Sequence, residues 1–122
     1  KFGHVVSAAC LALAMTCGSA SAAEVPLVDG TLWTKSTDDV KKAYLVGLAN
    51  VVQMEVAYNA NDPLPEKSSF SPRLAKGLTG QTLATVQEAL DKWYAANPGK
   101  LQRPVIETIW FEIALPGLKA AK

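Results

Sequence analysis

The sequence predicts an all-α fold, a small bundle of three to four helices after an N-terminal signal or anchor helix. Apolar residues recur at helical spacing in the stretches after residue 36. No run alternates apolar and polar residues over the length of a useful strand. Pro, Gly and Asn cluster where each helical pattern ends. The chain has 122 residues, 12 Lys+Arg against 11 Asp+Glu, and 49% apolar content. That length suits one domain with its own core. A net charge of +1, with no long block of one sign, removes nucleic acid as the default partner.

The first 22 residues read as a unit of their own. Lys1 opens the segment, residues 5–15 (VVSAACLALAM) are apolar and uncharged, and Ala20-Ser21-Ala22 closes it with small residues. Basic start, apolar middle and small-residue exit make a secretory signal peptide. The division is then 1–22 as signal and 23–122 as a helical periplasmic domain. The alternative is a retained anchor. Residues 2–23 as a helix cover about 33 Å, enough to cross a bilayer. The domain would then be tethered to the inner membrane, with membrane contact only through residues 1–22. Met15 and Thr16 before Cys17 make a poor lipidation box.

Cys10 and Cys17 are the only cysteines and His4 the only histidine, so residues 23–122 hold neither. No disulfide, haem attachment site, zinc site, Cys nucleophile or His-based triad can be built from them. The expectation is a domain without cofactor or metal, and not an enzyme.

The elements follow in order. Residues 24–36 read as an extended lead-in with a turn at Asp29-Gly30, and Trp33 as its plug into the helical body. Ser36 reads as an N-cap, with Asp38 and Asp39 meeting the helix dipole. Val40, Tyr44, Leu48, Val51, Met54 and Tyr58 form the apolar stripe of that first long helix. Asn59 to Pro63 stops it, and residues 64–71 form a polar, Pro-rich loop. Pro72 opens a short helical turn ending by Gly77. After Thr79-Gly80, Leu83, Val86, Leu90, Trp93 and Tyr94 mark the next helix, with Glu88 and Lys92 paired on its wet side. Asn97-Pro98-Gly99 ends it. Pro104 sits in the first turn of the last helix, whose buried face is Val105, Ile106, Ile109, Trp110 and Ile113. Pro116-Gly117 stops that helix.

Candidate chemistry is sparse. Glu55 lies in the most apolar part of the first helix; it is either a buried carboxyl with a raised pKa or a partner for Arg103 or a Lys. Glu107 and Glu112 are five apart, which on an α-helix puts them on different faces and disfavours paired-carboxylate hydrolysis. The serines at 68, 69 and 71 have no nucleophile-elbow context. Gly77, Gly80 and Gly99 follow no phosphate-loop spacing.

Lys41-Lys42-Ala43-Tyr44-Leu45-Val46-Gly47-Leu48-Ala49-Asn50 resembles the Tyr-x-x-Gly helix of the Rap/Tai family, small periplasmic helical proteins that include immunity proteins against amidases delivered by type VI secretion. Leu78-Thr79-Gly80-Gln81-Thr82-Leu83, Asp91-Lys92-Trp93-Tyr94, Asn97-Pro98, Arg103-Pro104-Val105 and Ala114-Leu115-Pro116 follow that family's order of turn, helix, Pro stop and final helix. The resemblance covers residues 40–116. It departs at Gly117, where the family commonly carries a cysteine. The resemblance implies a helical fold and the habit of binding another protein; it assigns no residue to toxin contact.

The leading functional expectation is therefore a non-catalytic exported protein that binds another protein, such as a periplasmic enzyme, in the manner of an immunity protein or inhibitor. The alternative is an accessory subunit of an inner-membrane complex, tethered by an uncleaved N-terminal helix. A third reading is a carrier of a small apolar ligand in the Trp/Tyr-rich core. For partner binding the loop residues Leu64 and Pro65 and the apolar Phe70 at its end are the candidates, because prolines stiffen a loop before contact.

Overall fold

The computed structural model describes residues 25–61 and 69–121. The signal or anchor expected at 1–22 lies outside them. Every regular element among the described residues is helical, apart from one isolated antiparallel bridge between Asp29 and Pro104. None of the described helices is long and apolar enough to cross a membrane.

Residues 25–28 are extended, as expected, but the turn at Asp29-Gly30 is a helix start. Asp29 caps α1 (Gly30–Lys35), its carboxylate accepting from Leu32 N–H at 2.9 Å. The lead-in and the first turn of α1 are pinned to residues 101–105, where Val105 N–H donates to Val28 O at 2.8 Å and Thr31 N–H to Leu101 O at 3.0 Å. Trp33 is the expected core plug, 1% exposed.

α2 (Asp38–Tyr58) is capped by Thr37 rather than Ser36. The Ser36 hydroxyl instead donates back to Leu32 O at 2.8 Å and closes α1. Asp38 and Asp39 occupy the first turn as expected. The expected apolar stripe is corrected. Tyr44 and Leu48 pack half-buried against the core, but Val40, Val51, Met54 and Tyr58 face solvent, Tyr58 at 87% exposure. The inward line is Lys41, Leu45, Leu48 and Val52. Residues 43–57 are apolar almost all the way round, so periodicity selects no single face. Lys41 sets the rotation: its ammonium pairs with Asp91 of the next long helix at 2.9 Å and lies 5.6 Å from the Trp33 ring.

α3 (Phe70–Gly77) starts two residues before Pro72. Gly80, at φ 83°, makes the left-handed turn into α4 (Leu83–Ala96). Thr82 and Thr85 cap α4 reciprocally, Val86, Leu90 and Tyr94 are buried, and the Glu88–Lys92 pair closes at 2.7 Å. Asn97 ends α4, and a 3₁₀ turn (Pro98–Lys100) leads to the last helix.

That last helix has three parts with unbroken right-handed helical backbone: α5 (Val105–Thr108), a π-helical segment (Ile109–Ala114) and α6 (Leu115–Ala120). Pro116-Gly117 does not stop it. The π segment ends on a long bond from Leu115 N–H to Trp110 O, and the wider turn gives the Pro116 ring room that a regular α turn denies it. The expected buried face also changes: Val105 and Ile109 are buried, joined by Thr108 and Ala114, while Ile106, Trp110 and Ile113 are only half-buried. The core is otherwise built from Trp33, Leu45, Leu74, Val86, Leu90 and Tyr94.

Candidate functional site

The π segment decides what the last helix displays. A turn closed by i→i+5 bonds holds more residues than an α turn, so residues five apart come to overlie one another. Glu107 and Glu112, expected on different faces, therefore both reach Arg103. Arg103 Nη1 donates to Glu112 Oε1 at 2.8 Å, and Arg103 Nε lies 3.6 Å from Glu107 Oε1. The guanidinium is sandwiched between two rings, 4.9 Å from the Trp93 centroid and 5.4 Å from that of Phe111. Such stacking suits the planar, weakly hydrated guanidinium.

The backbone before Pro104 holds this arginine in place. Arg103 O accepts from the Tyr94 hydroxyl at 2.8 Å and from Gly30 N–H at 3.3 Å. Tyr94 also shares a hydrogen bond with the Thr108 hydroxyl at 3.1 Å. Burial pushes the Tyr94 phenol above its ordinary range, outweighing the opposing effects of the Thr108 bond and the Arg103 charge. A methyl added to Gly30 would collide with the Tyr94 ring, so only glycine lets α1 come this close.

The same helix carries a second stack one residue earlier. Trp110 lies 5.0 Å from Phe70 at an interplanar angle of 48°, and Arg73 sits 5.0 Å from the Trp110 centroid. Phe70 and Phe111 are each 47% exposed. These two stacks draw Phe70 and Arg73 from α3, Trp93 from the end of α4, Arg103 from the segment before α5, and Trp110 and Phe111 from the π segment.

Of the residues expected to bind a partner, Phe70 belongs to this face. Leu64 and Pro65 lie outside the described residues. Among the described residues Glu55 pairs with neither Arg103 nor a lysine; its carboxylate accepts from the buried Ser69 hydroxyl at 3.0 Å. Trp33 and Tyr94 are each 1% exposed and fill the core themselves. Sequence reading missed Trp93, Arg103 and Phe111 as a group. The change of register shows only in the burial pattern, where Val105 to Ile109 is four residues but Ile109 to the next buried residue, Ala114, is five; in the sequence Ile113 keeps ordinary α-helical spacing.

Glu107 and Glu112 are committed to Arg103. Among the described residues, no group of three or more His, Cys, Asp or Glu could hold a metal ion. Compared with family models, curated proteins and solved structures, the chain matches none.

Proposed function

We propose that this chain is a non-catalytic, exported helical protein that binds another protein, in the manner of an immunity protein or inhibitor. One observation carries the reading: the π segment carries the consecutive Trp110 and Phe111, each stacked with an arginine, with Phe70 against the first and Trp93 across Arg103 from the second. Trp and Arg dominate the energetics of protein interfaces, because they bury large rigid area and fix geometry with directed polar groups. Pre-stacked rings and the ion-paired Arg103 guanidinium also lose little freedom on docking. Export and periplasmic residence rest on the signal-like residues 1–22, and the resemblance to the Rap/Tai family agrees with the binding role.

The test uses tagged full-length protein expressed in its source cell. Wild type and a Phe70→Ser/Phe111→Ser variant are isolated from the envelope fraction, and their companions are quantified. Both side chains are half-exposed, so circular dichroism should be unchanged. Capture of the specific companion should fall at least tenfold, about 1.4 kcal/mol. Undiminished capture by the folded variant would move the interface off this face.

A further inference from the structure

α2, α3 and α4 leave an open groove of about 410 Å³ on a face that shares no residue with the aromatic–arginine surface. We infer that this groove is a second site, and that it takes one neutral amphiphile: a molecule with a short acyl or alkyl body and an uncharged amide, ester or hydroxyl head.

Size, lining and charge support this together. The volume lies within the usual range for small-molecule sites, about 300–1,000 Å³. At about 30 Å³ per water-sized group it holds roughly a dozen such units. Leu45, Leu74, Val86 and Ile109 form its floor and are all buried, so the bottom of the groove offers water no hydrogen-bonding side chain. The exposed side chains of Asn50, Gln53, Gln81 and Thr82 form its polar rim. Amides and hydroxyls both donate and accept, so they match a carbonyl or hydroxyl head. Among the described residues, no Asp, Glu, Lys, Arg or His lines the groove. A carboxylate or ammonium drawn into it would lose water without meeting a counter-charge, and burying an unpaired charge is costly. The same lack of charge disfavours a protein segment, whose register an interface commonly sets with complementary charges.

Two small residues in its wall allow the groove to be filled by substitution. Ala49 of α2 and Ala75 of α3 are half-buried residues in its wall. Phenylalanine at either position would occupy ligand space without removing a core side chain.

Isothermal titration of the full chain with N-methyldecanamide, decanoate and decylammonium, each below its aggregation threshold, tests the inference. N-methyldecanamide should bind saturably at one per chain and at least tenfold tighter than either charged analogue. Ala49→Phe and Ala75→Phe should each weaken that binding at least tenfold while the melting temperature holds or rises. In the wild type, the Ala49 and Ala75 methyl resonances should shift in step with occupancy, a readout that needs no variant. Four results would each overturn the inference: no saturable binding, equal or tighter binding of a charged analogue, unaltered binding by the well-folded Phe variants, or a sedimentation dimer that Ala49→Phe dissociates. The last would make a second copy of the chain the occupant.

Discussion

Gly117 of α6 rests against the backbone of Gly77 at the end of α3. A Cβ built on Gly117 would stand 3.1 Å from the Gly77 carbonyl carbon and closer still to its oxygen. Gly77 in turn leaves no room for a Cβ beside Ala114, whose Cα would be 2.9 Å away. Two glycines and an alanine thus let two helix backbones touch. The contact depends on α6 existing at all, and α6 exists because the π segment carries the helix past Pro116. It also shows why a larger side chain at position 117 does not fit this packing, where the Rap/Tai resemblance would have placed a cysteine.

Gly117→Ala and Gly77→Ala should each destabilise the protein by about 1–3 kcal/mol through overpacking. Gly47→Ala is the control, since Gly47 lies inside α2 with nothing within 4 Å of its added methyl. It should gain about 0.5–1 kcal/mol from helix propensity alone. Urea unfolding of the three variants checks both signs; a stabilised Gly117→Ala would refute the close crossing.

Asp91 is the acceptor that orients α2 against α1 and α4. Its Oδ1 takes Trp33 Nε1–H at 2.8 Å and the Lys41 ammonium at 2.9 Å. Asp91→Ala strands two donors, one of them a lysine whose side chain is 11% exposed, and should cost about 2–4 kcal/mol. Adding Lys41→Met to it should recover more than half of that loss in a double-mutant cycle. Simple additivity of the two substitutions would deny the coupling.

The tryptophans should separate by burial. Trp33→Ala should cost about 3–5 kcal/mol and leave the domain close to its unfolding limit. Trp110 was expected to be equally buried but stacks half-exposed against Phe70. Trp110→Ala should therefore cost less, roughly 1–3 kcal/mol. Thermal melts of the two variants give the order directly.

Burial raises the phenols of Tyr44 and Tyr94 above the ordinary value of 10.0, with each other's charge adding to the rise at Tyr44. A raised native pKa means the folded state keeps protons that the unfolded chain has released. The stabilisation from the neutral phenols is therefore complete below pH 10 and is lost as pH climbs through the raised native values. Chemical-denaturation midpoints should fall steeply in alkali, and Tyr44→Phe should soften that fall. An unchanged alkaline slope in Tyr44→Phe would take Tyr44 out of the linkage.

Expression with intact export machinery should yield a soluble periplasmic chain beginning at Ala23, seen by intact mass. Both cysteines leave with the first 22 residues, so reductant should not move its melting temperature. A full-length chain in the membrane fraction would favour the tethered accessory subunit instead.

What was legible in the sequence was local. The stop at Asn59, the break at Thr79-Gly80 before α4, the Glu88–Lys92 pair and the end of α4 at Asn97 all rest on bonds within a few residues, which local chemistry specifies. The misses were those where two neighbours could serve: Ser36 against Thr37 as cap, or a turn against a capped helix at Asp29. The rotation of α2 was not legible, because its apolar surface runs nearly all the way round and the deciding partner, Asp91, is 50 residues from Lys41. The aromatic–arginine face was hidden for the same reason. Phe70, Trp93, Arg103 and Phe111 come from separate segments, and only the extra residue in the π turn aligns Glu107 with Glu112 around Arg103. Residue order determined the stops that neighbouring residues close, at Asn59 and Asn97; packing between distant segments decided that the last helix runs past Pro116, which faces the helices turn to each other and which they leave for a partner.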